Sequence, residues 1–220
     1  MQTAQAYQKT TEIAAVAVTS AHETQDELKL LGVAKSFGRE REIFSEGGST
    51  EFFYKVVAGT VRSLRLLSDG RRQITSFFLP GDIFGVEFGG ERGAGAEAVS
   101  DTVVIQVRRS AILGDPDQSI RLWRRSVGEL QRSQDHALTL GRRSASERLA
   151  SFLIDLAERL DATDELELPM SRQDIADYLG LTIETVSRTL TQLQGQRLIA
   201  LTNCRKVRFL DREALEDLCQ

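Results

Sequence analysis

Residues 172–189, RQDIADYLGLTIETVSRT, decide how the rest of this chain is read. Ala176, Gly180 and Val186 stand four and six apart, the spacing of two short helices joined by a tight turn. A small residue at Ala176 lets the helices approach closely. Gly180 permits the positive φ that the turn needs, and Val186 turns inward on the second helix. Opposite Val186 that helix carries Glu184, Ser187 and Arg188. Spacings of three and four put these residues on one surface that can reach base edges in a major groove. The alternative is an ordinary amphipathic helix pair with surface charges; DNA binding is the better reading.

The 220 residues suit one large domain or two smaller ones, with 41% hydrophobic and 27% charged residues as in ordinary globular chains. A net charge of −4 does not advertise a nucleic-acid binder. Phosphate contact depends on where cations sit, though, and not on their total. From Ala145 onward nine Arg or Lys face fourteen Asp or Glu, so any DNA-facing patch must be local. Arg172, Arg188, Arg205, Lys206 and Arg208 are its candidates. No stretch approaches the length of a membrane span. The first 25 residues lack a basic segment of the signal-peptide kind, and a cytoplasmic protein is expected.

Only Cys204 and Cys219 occur, which is too few for a four-cysteine iron–sulfur cluster. His22 and His136 lie far from them in sequence, so a structural zinc site is unsupported. No Ser/His/Asp set, metal-ligand cluster or phosphate loop is present. The expectation is a non-enzyme without metal or cofactor. Cys204 beside Arg205 and Lys206 leaves one redox option open, because neighbouring cations favour a reactive thiolate; an inert thiol is the alternative.

Working outward, the pattern is α+β. Residues 1–30 read as a small-residue tail and 31–110 as a β-roll. There Asp69-Gly70 between SLRLL and RRQITSFF marks a hairpin, and spaced glycines mark corners. EFGGERGAGAEAV (residues 87–99) reads as a flexible loop before a last strand, TVVIQVR. Residues 117–143 read as a long helix. Trp123, Val127, Leu130, Gln134 and Ala137 step along it by four, three, four and three, a heptad seam that predicts a homodimer. A helix packed on its own roll is the other reading of that seam. Residues 144–220 follow as an amphipathic helix with Leu149, Phe152, Leu153, Leu156 and Leu160 on one side, then the helix-turn-helix. Ser171 with Asp174 fits a capping box. The runs LQGQRLIALTN and CRKVRFLD flank a turn at Asn203 and predict a wing.

A β-roll, a long seam helix and a winged helix-turn-helix, in that order, are similar to the CRP/FNR family of bacterial transcription regulators. LPGDIFG in the roll and MSRQDIADYLGLTIETVSRTLTQLQ carry the resemblance most specifically. LTIETVSR looks like the FNR and FixK branch, which implies base reading by Glu184, Ser187 and Arg188. It also implies a palindrome similar to TTGAT-N4-ATCAA, bound by a homodimer that recruits RNA polymerase. The chemistry agrees. Arg188 can donate two hydrogen bonds to a guanine and Glu184 can accept from a cytosine amino group, while Ser187 and Ile183 suit T·A pairs. The resemblance implies phosphate contacts at Ser171, Arg172, Gln173, Thr182 and Thr185, with Thr182 also capping the recognition helix.

Departures from the family narrow the function. Cyclic-AMP-binding members carry a glutamate after the glycine matching Gly85 and an Arg-Ser pair near positions 96 and 97. This chain has Val86, Ala96 and Glu97, and a glutamate there is expected to repel a cyclic phosphate. The cysteines of the oxygen-sensing branch are missing, and neither histidine suits a haem. What remains is similar to the FixK branch, which implies an effector-independent activator of low-oxygen and nitrogen-fixation genes. A roll that binds an unknown effector, closed over by the Gly89–Gly95 loop, is the rival expectation.

Overall fold

The computed structural model describes residues 32–87 and 89–219. The expected tail at 1–30, with His22, therefore lies outside the described residues. The roll comprises β1 (Val33–Phe37), β2 (Glu42–Phe44), β3 (Phe52–Ala58), β4 (Val61–Leu66), β5 (Arg72–Phe78), β6 (Ile83–Phe84), β7 (Gly95–Ala98) and β8 (Thr102–Arg108). They pair antiparallel into two four-stranded sheets, β1-β8-β3-β6 and β2-β7-β4-β5. The Asp69-Gly70 hairpin forms as expected, with Leu66 opposite Arg72 and Gly70 at φ +81°. Between the sheets Tyr54, Val56, Val61, Phe78, Phe84, Ala96 and Val104 are buried. There the rings of Tyr54 and Phe78 each stack on Phe84.

Part of the expected flexible loop is a strand instead. β7 lies between β2 and β4 in the second sheet. Gly95, Ala96 and Ala98 are buried there, and Ala96 packs with Tyr54, Phe78 and Phe84 between the sheets. Small residues in a row imitate a loop in sequence, although here they form a buried strand. A short helix, α1 (Arg109–Leu113), then follows β8, where no helix was expected.

The long helix α2 runs Pro116–Arg142, one residue earlier at each end than its expected span. Asp115 caps it by accepting from the backbone N–H groups of Asp117 and Gln118, and Pro116 takes the first turn, where no N–H donor is needed. Helix α3 (Ala145–Arg159) opens with a Ser144–Glu147 capping box. It buries Leu149, Phe152, Leu153 and Leu156, whereas Leu160 follows the last turn and is partly exposed. Then come β9 (Glu165–Glu167), α4 (Arg172–Leu179), α5 (Ile183–Gly195), β10 (Ile199–Leu201), β11 (Lys206–Phe209) and α6 (Arg212–Asp217). Strands β10, β11 and β9 form the wing sheet in that order.

One apolar core joins the two halves of the chain. Leu64, Ile74 and Phe77 of the second sheet pack with Leu149 and Leu153 of α3, Ile175 and Ala176 of α4, and Val186 and Leu190 of α5. The reading motif is therefore seated directly on the roll. No helix among the described residues is long and apolar enough to cross a membrane.

Candidate DNA-reading interface

The sequence of the turn accounts for its geometry. Ser171 caps α4, its hydroxyl donating to Asp174 Oδ2 at 2.7 Å and accepting from the Asp174 N–H at 3.1 Å. Gly180 ends α4 in the left-handed region at φ +63°, with its N–H and that of Leu181 both returned to Ala176 O. Thr182 then caps α5 by accepting from Thr185 N at 3.2 Å. The buried side of α5 is Val186, Thr189, Leu190 and Leu193.

The outward side of α5 presents Ile183, Glu184 and Arg188 to solvent, with Ser187 half-buried between the two helices. Arg172 Nη1 donates to Ser187 Oγ at 3.2 Å, and Arg172 Nε is buried without a hydrogen-bond partner. Gln173 is exposed and donates to Asp177 Oδ1 at 2.6 Å, and the Thr182 and Thr185 hydroxyls lie 3.0 Å apart. All nine residues expected to touch bases or phosphates thus sit at the N-terminal ends of α4 and α5.

The wing contributes less charge than its sequence suggests. Lys206 and Arg208 both pair with Glu165 of β9, at 3.3 and 3.6 Å. Cys204 is exposed at the turn between β10 and β11.

On α2 the expected seam is open: Trp123 is 63% exposed and Leu130 57%, Gln134 and Ala137 are also exposed, and Val127 is half-buried. Ile120, three residues before Trp123, is 51% exposed and extends the seam by one step. A heptad that starts at Trp123 does not include it.

In the roll, Glu97 does not face the interior. The strand alternation of β7 buries Ala96 and turns Glu97 outward, so the expected repulsion of an internal phosphate does not arise from this residue. It pairs instead with Arg62 at 2.6 Å. Inside, Arg92 is 2% exposed. It donates to Gly85 O at 2.7 Å and to Phe52 O, with its guanidinium 3.9 Å from the centre of the Phe44 ring. Burial lowers its pKa, only partly opposed by Tyr54 and by the Glu87 carboxylate 4.0 Å from Nη1. A side chain at Gly85 would strike Arg92 Nη1 at 2.6 Å, so glycine there is required by close approach as well as by φ +71°. A cavity of about 330 Å³ remains between the roll and α2, lined by Ser63, Val86, Arg125 and Arg132 among others. No sequence signal had picked out Arg92.

A model of the cyclic nucleotide-binding domain matches residues 34–114, and one of the Crp-like helix-turn-helix domain matches 147–218. The chain is 50% identical over 197 residues to the nitrogen fixation regulation protein FixK of Azorhizobium caulinodans, covering 86% of this chain and 79% of that protein. It is 47% identical over 179 residues to FixK of Rhizobium meliloti, covering 81% and 83%. The solved structure of FixK2 from Bradyrhizobium japonicum superposes with a TM-score of 0.83 at 44% identity, over 87% of this chain and 98% of that one. With half of the aligned residues identical over most of both lengths, this chain belongs to the CRP/FNR family of DNA-binding transcription regulators, in its FixK branch.

Proposed function

We propose that the protein is a homodimeric activator that reads a TTGAT-N4-ATCAA-like palindrome without a small-molecule effector, and that it serves low-oxygen and nitrogen-fixation genes. One observation carries the base-reading part. Glu184 and Arg188 lie on the exposed side of α5 opposite Val186, Leu190 and Leu193, which anchor the helix in the core, and Ile183 and Ser187 flank them at its N-terminal end. Arg188 then reads guanine, Glu184 its paired cytosine, and Ser187 and Ile183 the neighbouring T·A pairs. Arg172, Gln173, Thr182, Thr185 and the N-terminus of α4 at Ser171 hold phosphates.

The exposed seam Ile120, Trp123, Val127, Leu130, Gln134 and Ala137 supports the dimer, since isolated surface apolar residues rarely recur at heptad spacing. Two recognition helices held about 34 Å apart then meet successive major grooves. Arg92 and Ala96 support effector independence, because they fill the interior of the roll with this chain's own side chains. Activation proceeds through RNA polymerase, and control lies in how much protein is made.

The deciding experiment selects DNA from a random pool with purified, ligand-free protein. Recovery of paired TTGAT-like half-sites at one spacing is expected; recovery of no common sequence would contradict the proposal. The 330 Å³ cavity favours a second reading, an effector bound beside Arg125 and Arg132. That reading requires operator affinity to rise on adding a ligand found by thermal-shift screening.

A further inference from the structure

The first helix of the reading motif is held from outside its own domain. Asp174, buried at the start of α4, gives Oδ2 to the Ser171 cap. Its other oxygen, Oδ1, receives Arg62 Nη1 and Arg72 Nη2, both at 2.8 Å, from β4 and β5 of the roll. Arg72 Nε also reaches Asp177 Oδ2 at 2.9 Å, and Gln73 Nε2 reaches the Asp177 carbonyl at 2.7 Å. Arg62 is itself only 2% exposed. Its remaining donors go to Glu97, from Nε at 3.0 Å and Nη2 at 2.6 Å, and to Glu40, from Nη2 at 2.5 Å.

The chemistry of this cluster is directional. A buried guanidinium is tolerated only when its charge and its planar donors are matched, and here every nitrogen of Arg62 meets a carboxylate. The surrounding apolar contacts, such as Phe77 against Phe152 and Tyr178, favour contact without fixing an angle. The arginine forks fix it. They join β4 and β5 to the helix whose cap and turn aim α5, and they are complete without any bound ligand.

We infer that Arg62 and Arg72 are positioning residues for operator reading, through which the roll sets the orientation of the helix-turn-helix so that both copies in a dimer meet the two halves of one site. This rests on the DNA-reading proposal above. Glu97 belongs to the same device. β7 turns its carboxylate outward and joins it to the arginine that holds α4.

The test uses the full-length protein and fluorescence anisotropy against four duplexes: the selected operator, the same operator with its spacer changed by one base pair, a single half-site, and scrambled DNA. Arg62→Met and Arg72→Gln are expected to lose about tenfold or more on the operator while half-site affinity stays level, because only the linked engagement of two half-sites is lost. Both should also discriminate less between the two spacers, and Arg72→Lys should recover part of the loss. Arg72 lies at the rim of the cluster, so Arg72→Gln carries the test if Arg62→Met does not fold. Operator affinity and spacer discrimination unchanged in Arg72→Gln would overturn the inference, as would a parallel loss on operator and half-site. Wild-type protein indifferent between operator and scrambled DNA would overturn the DNA-reading proposal itself, in a separate arm.

Discussion

Arg172 Nη1 lies 3.2 Å from Ser187 Oγ, so a residue assigned to the phosphate backbone is tied to one assigned to the bases. The bond joins the start of α4 to the reading face of α5 and leaves Arg172 Nε unsatisfied and buried. Replacing Arg172 with Ala should weaken binding evenly across operator sequences and reduce the salt slope of log affinity by about one per half-site, about two for the dimer on its palindrome. Titrations at several salt concentrations check this. A loss confined to one base position would reassign Arg172 to direct reading.

Arg188 is exposed on α5 with its donors available to a guanine edge. Arg188→Ala is expected to cost about 1–3 kcal/mol of operator binding and to relax preference at the guanine. Competition with single-base operator variants measures both quantities.

Gly180 sits at φ +63°, and a Cβ there would touch Arg148 Nη1 and Leu140 Cδ2 only at 3.7 Å. Space is therefore adequate and backbone strain is the whole penalty. Gly180→Ala should lower unfolding free energy by about 1–2 kcal/mol, seen as a lower midpoint in denaturant.

Leu130, at 57% exposure on α2, lies in the middle of the open seam. A Leu130→Glu chain is expected to sediment as a monomer. Its operator affinity should fall by about 10²–10⁴, the advantage of engaging two half-sites at once. A dimer that survives this substitution would place the interface elsewhere.

His136 on α2 stacks on Tyr178 of α4 with ring centres 3.9 Å apart. Burial depresses the imidazole pKa from its ordinary 6.5, and the nearby Arg148 lowers it further; a hydrogen bond at Tyr178 and the Asp155 charge only partly oppose this. Burial likewise pushes the Tyr178 phenol up to about 12. Because the folded state resists protonation that the unfolded chain accepts, stability is full above pH 6.5. It should fall as pH drops below that value toward the folded pKa. His136→Phe should reduce this slope in melting curves recorded between neutral and mildly acidic pH.

Much of this architecture was legible because it rests on local patterns. The glycine turn, the Ser171 cap, the hairpin at Gly70 and the long α2 helix each follow from local residue type and spacing, and all four appear. β7 was hidden because the small residues Gly95, Ala96 and Ala98 carry no β-branched or aromatic strand signal, and their burial between β2 and β4 is non-local. Arg62 and Asp174 stand 112 residues apart, and nothing in either neighbourhood announces the other. The inward fold of Arg92 is equally non-local, since its partners at Phe52 and Gly85 are backbone carbonyls, which any residue supplies.

The most direct measurement is the affinity of purified, ligand-free wild-type protein for the TTGAT-N4-ATCAA palindrome and for scrambled DNA at one physiological salt concentration. A reading head already held in place predicts preference for the palindrome by about 10³ or more. Equal affinity for the two duplexes, or a preference that appears only after a small molecule is added, would contradict it.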